Sequence, residues 1–526
     1  MSAKSIYLLT TVIICFFSNT AGQVPVEQTP FWSTSELGLY STGMVWRDGN
    51  NDGYIDVFYS NGNDMALARN TVYLSQHGVM TSSASWFSNN YEYSGHCGVG
   101  DIDDDGRADF LVANYLGAGR FATGNYGNLY LNSLDFLSLT PDWYNADSIY
   151  SFSCALGDAD GDGDLDAAFA TGEGYNSIYE NDLIFYNVNG ALNPSPGWQS
   201  AYGTAALDVG WGDINNDGWL DLAFCYSDGA PATLYYNNAG VIETAPSWQS
   251  NYSDPSNTLM FGDINGDGWL DLILADNNQL GGSGRFRVYF NDGAGNLDPE
   301  YGWQSGQGGY GSALALYDYD NDGDDDLATG RWFNRVTVYE NTGTTFTTSP
   351  VWESGPSMVA EELAWVDIDG DGIEQRRDVF YATGGKKLFY TAHHPLQAID
   401  SVIVDGSALA DADFCYDLFY GWVSMGTTPA DSVEIFYQYS FKCDLTVANW
   451  DTCNMAFANT NRPLVDMYAE PLVGWAPLTV QFYDSTAGAS DWLWRFDETD
   501  SATIQNPERT YTEGGIYDIY LENTQP

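Results

Sequence analysis

Gly262-Asp-Ile-Asn-Gly-Asp-Gly-Trp-Leu-Asp-Leu-Ile-Leu274 sets the pattern of this chain. Asp263, Asn265 and Asp267 alternate with other residues, Gly268 permits a sharp turn, and Asp271 closes the loop ahead of the apolar run Leu272-Ile273-Leu274. A calcium ion takes roughly six to eight oxygens at about 2.3–2.6 Å, so side-chain oxygens at loop positions 1, 3, 5 and 9, with a backbone carbonyl near 7, can wrap one ion. Without a cation, acidic groups this close repel one another. An EF-hand begins in the same way but needs a bidentate Glu at position 12 and a helix after it. Here position 12 is Leu274 and the flanks are short apolar runs of β type, which predicts a loop within a β-hairpin.

Copies of the loop recur at Asp48/Asn50/Asp52/Asp56, Asp101/Asp103/Asp105/Asp109, Asp158/Asp160/Asp162/Asp166, Asp213/Asn215/Asp217/Asp221 and Asp318/Asp320/Asp322/Asp326. A seventh begins Asp367/Asp369/Asp371 and reaches an acid, Asp378, three residues late; Asp378-Val-Phe-Tyr-Ala-Thr-Gly384 aligns with Asp166-Ala-Ala-Phe-Ala-Thr-Gly172, which puts Asp378 in the closing role. These residues are the candidate metal ligands.

A second marker keeps the same register. Trp86, Trp143, Trp198, Trp248, Trp303 and Trp352 each stand 15 residues before the first Asp of a loop, and Trp32 stands 16 before Asp48. The loop-to-loop period of 49 to 57 residues is that of propeller blades, small antiparallel sheets that cannot bury their faces alone. Each repeat reads as an inner strand, the loop, a second and a third strand, and a fourth centred on Trp-x-Ser. The last copy has a third strand at Lys387–Thr391 but no Trp-x-Ser after it, while Trp32-Ser-Thr34 precedes the first loop. The N-terminal strand is therefore expected to complete the last blade, a closure that removes exposed sheet edges.

On these motifs the chain resembles the FG-GAP/VCBS repeat family, similar to the seven-bladed propellers of integrin α-subunits and of many bacterial secreted proteins. The resemblance covers about residues 24–395 and implies structural calcium in the loops. It says little about the ligand.

Residues 1–22, with Lys4, an apolar segment from Ile6 to Phe17 and small residues at Thr20-Ala21-Gly22, read as a secretory signal peptide. No stretch reaches the ~20 continuous apolar residues of a membrane-spanning helix. The formal charge of −55 with only 17 Lys plus Arg excludes a nucleic-acid surface. Cys97 and Cys154 hold equivalent strand positions and read either as a bridge or as buried thiols, and Cys443 and Cys453 as the better disulfide candidates for an exported protein.

Residues 396–462 break the period and are expected to form a small β-rich domain or appendage. From Pro463, Ala476–Tyr483, Trp492–Asp497 and Gly515–Leu521 resemble a PKD domain, an immunoglobulin-like β-sandwich, with Trp494-Arg-Phe-Asp497 where that family has Trp-Asp-Phe-Gly-Asp. The sandwich is expected to lack its last strand, read either as a truncated fragment or as an open edge, and an open edge is a candidate for strand exchange with a partner or another copy. The expected fold is thus all-β: a seven-bladed propeller over 23–395, the β-rich region over 396–462 and the sandwich over 463–526.

The fixed register of the tryptophans argues for packing over sugar stacking. Tyr91 and Tyr93, Trp332 and Phe333, and the insertions 277–284 and 117–127 fall outside the period and are candidates for a ligand surface. With four histidines, three lysines beyond Lys4, no Gly-x-Ser-x-Gly and no phosphate loop, an enzyme ranks below a binding protein. The leading expectation is a secreted, calcium-binding adhesion or recognition protein with a glycan or extracellular protein ligand. A calcium-dependent polysaccharide lyase or hydrolase, and a filament subunit assembled through the C-terminal sandwich, are the alternatives.

Overall fold

The computed structural model describes residues 5–9, 24–460 apart from 77, 135, 280 and 383, and then 467–470, 473–475, 477–484, 491–496, 501–512 and 516–524. The chain forms two compact units, Val24–Thr460 and Met1–Gln23 with Asn461–Pro526.

In the first unit the alternation of short apolar runs with Asp loops yields four-stranded antiparallel sheets. That of the fourth repeat is typical: inner strand Ala206–Gly212, then Asp221–Tyr226, Thr233–Tyr235 and Trp248–Gln249. Sheets of the same order start from the inner strands Ser41–Arg47, Tyr93–Gly100, Ser151–Gly157, Ser256–Gly262 and Gly311–Tyr317. In each, the residue before the first Asp of the loop pairs with the closing Asp, as Gly262 does with Asp271. The inner strands are neighbours in cyclic order, Ser41–Arg47 lying between Tyr93–Gly100 and Ala360–Val366, so the sheets radiate from a common axis as in a propeller.

The sheet that closes the ring departs from the sequence expectation. Ala360–Val366 pairs with Asp444–Asn449, which pairs with Met455–Phe457, and the outermost strand is Trp32–Ser33. Neither the segment at Asp378 nor Lys387–Thr391 belongs to it. Between the Asp367 loop and Asp444 the chain makes an insertion of two sheets: Ile373–Tyr381, Ser432–Ser440, Leu396–Val404 and Ser407–Ala408 in one, Leu388–Tyr390, Trp422–Met425 and Phe414–Asp417 in the other. The boundary expected at 395/396 therefore falls inside the insertion, and residues 444–457 return to the ring. Asp444-Leu-Thr-Val-Ala-Asn449 fits the second-strand position because it repeats the pattern of Asp109-Phe-Leu-Val-Ala-Asn114, whose strand is buried throughout.

Each periodic tryptophan meets an aromatic ring on the third strand of the next sheet. The pairs are Trp32–Tyr73, Trp86–Tyr130, Trp143–Phe185, Trp198–Tyr235, Trp248–Tyr289, Trp303–Tyr339 and Trp352–Phe457, with centroids 5.4–6.1 Å apart and interplanar angles of 79–88°. This edge-to-face geometry suits the ring quadrupoles. Four of the indoles also donate to a main-chain carbonyl, Trp352 to Val26 at 2.8 Å for example. The tryptophans are thus seam residues between sheets, and their fixed register follows from that repeated contact.

All six cysteines after Cys15 are free. Cys443 and Cys453 do not pair, because the first precedes the start of Asp444–Asn449 and the second lies in the turn beyond its far end, a separation of six strand residues or roughly 20 Å.

In the second unit, Leu478–Asp484 pairs with Met467–Glu470 and Glu508–Tyr511, while Asp491–Arg495 pairs with Ser501–Ala502 and Tyr520–Thr524. Val480, Phe482, Trp494, Phe496 and Ile519 are among the residues of their shared core. Ser5–Leu9 forms a strand between Val473–Trp475 and Ile516–Asp518. The rest of the expected leader, 1–4 and 10–22, lies outside the described residues.

Replacing Trp248 by Ala is expected to cost about 3–5 kcal/mol, the range for a buried large aromatic, because it empties the seam to Tyr289. Chemical denaturation of the variant beside the parent protein measures this, and an unchanged midpoint overturns the seam role.

Candidate metal centres

The loops are built by backbone geometry first. Position 4 takes the left-handed conformation (Asn51, Asp104, Gly161, Asn216, Gly266, Asn321, φ +54° to +71°), as does the glycine at position 6 in the same six loops. This turns the N–H groups of positions 5 and 6 inward onto the first Asp. Asp267 N donates to Asp263 Oδ1 at 3.0 Å and Gly268 N to Oδ2 at 2.7 Å, and the same pair of bonds recurs at Asp48, Asp101, Asp158, Asp213 and Asp318.

The closing Asp is held more deeply. Asp56, Asp109, Asp166, Asp221 and Asp271 have no exposed surface. Each accepts one N–H from the residue after the first Asp and one from the residue at the end of the third strand, as Asp109 does from Ile102 (2.9 Å) and Asn132 (2.7 Å). Two such donors favour a carboxylate, yet burial outweighs them and pushes Asp109 and Asp221 up to about 8, Asp166 to about 9 and Asp326 to about 10. Neighbouring loop carboxylates push in the same direction. No Lys, Arg or His side chain is paired with these four closing acids among the described residues.

Acidic oxygens converge to within 4.8 Å of one another in Asp101/Asp103/Asp109, Asp158/Asp160/Asp166, Asp318/Asp320/Asp326 and Asp367/Asp369/Asp371. Asp103 Oδ1, Asp320 Oδ1 and Asp326 Oδ2 are buried without a hydrogen-bond partner. In the other three loops position 3 is Asn50, Asn215 or Asn265, whose Oδ1 accepts the position-5 N–H at 2.9 Å. These donors are all hard oxygens, which fit a group 2 cation better than a thiolate- or imidazole-seeking metal.

The fifth-position acids are more exposed than the first and ninth. Asp52, Asp105, Asp162, Asp217, Asp267 and Asp322, expected to complete the ligand sets, lie outside the four groups whose acidic oxygens already converge. All six are exposed, and the local turn gives five of them another partner. Oδ1 of Asp52, Asp162, Asp217, Asp267 and Asp322 accepts the N–H two residues ahead, from Tyr54 (3.0 Å), Asp164 (3.1 Å), Trp219 (3.1 Å), Trp269 (3.0 Å) and Asp324 (3.3 Å). Asp105 faces Arg107 at 3.7 Å instead. This Asx-turn bond uses one carboxylate oxygen of each of the five. In the last loop the corresponding Asp371 does converge with Asp367 and Asp369.

Asp378 is not part of a loop. Its carboxylate accepts from Ala392 N at 2.7 Å and Tyr437 OH at 3.1 Å within the insertion. The acid that stands in the closing position for Asp367, Asp369 and Asp371 is Asp444, which accepts from Ile368 N (3.4 Å) and Asn459 N (2.9 Å) as the other closing acids do. In the other loops the closing acid follows within the same hairpin, whereas here the insertion separates Asp371 from Asp444.

Two further groups of residues escaped the sequence reading. Asn132, Asn187, Asn237, Asn291 and Asn341 each donate through Nδ2 to a carbonyl in the preceding sheet's loop, at 2.7–2.9 Å. The recurring aromatic-x-Asn at the end of the third strand was the signal available. The insertion also leans on the loops: Ser424 Oγ donates to Asp158 Oδ2 at 2.7 Å, Lys387 to Gly161 O at 2.8 Å, Lys386 faces Asp213 at 3.7 Å and Lys442 pairs with Asp371. The only three lysines beyond Lys4 thus all sit against Asp loops. No periodicity marks them.

Five matches to the FG-GAP-like repeat, over residues 48–112, 158–224, 213–274, 263–329 and 318–374, together span more than half of the sequence. The chain belongs to the FG-GAP-like repeat family. Solved structures similar to this FG-GAP-like protein include BBS1N in complex with ARL6DN, at 8% identity over 83% of this chain and 98% of that one with a TM-score of 0.46. Another is the Cps50 (Swd1) β-propeller domain of Myceliophteria thermophila, at 9% identity over 65% and 94% with a TM-score of 0.39. No curated protein sequence matches the chain.

The closing acids set a pH signature. A carboxyl whose folded value lies above its ordinary 3.8 contributes stability that is full below that value and is lost as pH rises through the folded value, here about 7 for Asp271 and about 9 for Asp166. In chelator the melting temperature is therefore expected to fall as pH is raised from about 5 to about 9, and excess divalent cation, which favours the ionised form, is expected to flatten that fall. Thermal scans across this range with and without chelator read both trends.

Proposed function

We propose that this protein is a calcium-stabilised, seven-bladed propeller that serves as an extracellular adhesion or recognition protein. The observation that carries the calcium reading is the set of oxygen-only loops whose closing carboxylates are buried beside other carboxylates and pair with no basic side chain among the described residues. A bound divalent cation supplies the neutralising charge at each loop. The residues that would hold it are the first, third, fifth and ninth of each loop, with Asp444 in place of Asp378 in the last.

The role is structural in this reading. The candidate sites lie on the hairpins that join inner to second strands, and they repeat around the ring, where a reaction centre would be single. Export rests on the apolar N-terminal segment after Lys4, and recognition on the surface that the propeller leaves to sheet-specific turns.

Calcium is expected to raise the melting temperature. Each independent loop adds about 2.7 kcal/mol at a free concentration a hundredfold above its Kd. Asp444→Asn is expected to remove part of that gain and Asp378→Asn to leave it intact; calorimetric calcium titration of the two variants decides between them. For the ligand, retention on a panel of acidic and neutral polysaccharides in calcium, scored beside release of new sugar ends, separates a binder from an enzyme. Release abolished by chelator overturns the binding reading.

A further inference from the structure

The end of the ring remote from the Asp loops carries a cavity with a different chemistry. Inner strands run toward the loops and second strands run away from them, so starts of inner strands and the turns after second strands meet at this far end. Thr42, Phe152 and Glu361 come from the former, and Asp64, Tyr175, Trp332 and Trp450 from the latter. They line a cavity of about 170 Å³ whose walls include no Lys, Arg or His.

Its rings are held in place. Trp332 and Trp450 stand perpendicular at 6.3 Å, and Phe333 packs on Trp450 at 6.2 Å. Phe333 is 65% exposed and has φ +60°, a conformation costly for a bulky residue, and one that an otherwise unconstrained turn would relax. Tyr175, half exposed, is fixed by a 2.6 Å bond from its hydroxyl to Gln279 Oε1.

Behind the rings lies Glu361, 5% exposed. The indole N–H groups of Trp332 and Trp450 are close enough to favour its charged form, but neither completes a hydrogen bond. Burial raises Glu361 to about 8 against the pull of those groups and of His96, while Asp64 on the same wall adds negative charge. His96 is itself committed to Asp208 at 3.2 Å. A carboxyl kept this dry beside indole and phenyl faces is matched by a cation that needs no hydrogen bonds of its own: alkyl groups on the rings, positive charge over their π faces and toward the carboxylate.

We propose that this mouth binds an alkylated ammonium group, with Trp332, Phe333 and Trp450 around its methyl groups and Glu361 as its counter-charge. The proposal does not depend on what the loops bind, because the two ends of the ring share no residue. Calorimetry on the full chain in calcium, with choline chloride and its uncharged isostere 3,3-dimethylbutan-1-ol, tests it. Choline is expected to bind at least about tenfold more tightly than the alcohol, the difference that ~1.4 kcal/mol of cation recognition produces. Trp332→Ala is expected to weaken choline about tenfold and Glu361→Gln to erase most of its advantage over the alcohol. A trimethyl-lysine peptide binding more tightly than choline assigns the site to a protein side chain, and the reverse assigns it to a free small molecule. Equal binding of choline and the alcohol by the parent protein, or heat from neither, overturns the proposal whether or not the Glu361 variant folds.

Discussion

A carboxylate with no exposed surface, receiving one backbone N–H from its own loop and one from the end of the third strand, is the contact on which the ring depends. In Asp271 one oxygen takes the N–H of Ile264 in its own loop and the other takes that of Asn291 at the end of the third strand. One side chain thereby fixes the hairpin and the strand beyond it. The same Asn291 reaches back with its amide to Ile214 O in the preceding loop. Loop geometry, sheet geometry and the spacing of sheets are set together, and each loop is coupled to the next.

That arrangement concentrates negative charge where water is excluded, and the fold answers it in two ways. Backbone N–H groups take up most of the carboxylate oxygens, and the insertion brings its lysines and Ser424 to loops of the ring. At Gly163 the contact is close enough that a Cβ would lie 2.6 Å from Gly426 N, so the glycine required by the turn also admits the insertion. The remaining oxygens, such as Asp326 Oδ2, are the ones that point to a cation.

The two ends of the ring therefore differ in kind. One repeats, because every hairpin must turn and every closing acid must be satisfied. The other is made of turns that differ from sheet to sheet, and there the aromatic residues outside the period, Trp332 and Phe333 among them, gather around Glu361. Tyr93 meets the same criterion of lying outside the period, but it is buried and faces Arg120. Lack of period marks a residue as free from the repeat, and position decides whether it faces solvent, a neighbour or a cavity.

The sequence by itself determined the loops, the hairpins and the tryptophan register, because these rest on spacings of a few residues that local backbone geometry enforces wherever they occur. It also held the pattern of Asp444–Asn449, although the preference for a nearby closing acid points to Asp378. Spacing makes the acids at positions 1, 3, 5 and 9 look alike, and only the structure separates the exposed fifth ones, such as Asp217 with its bond from Trp219 N, from the buried ninth. Only the tertiary structure decided which strand follows Ala360–Val366, where the three lysines go and which aromatics surround Glu361. Those outcomes rest on contacts such as Trp46 with Thr446, 400 residues apart, and no local spacing encodes a partner that closure of the ring supplies.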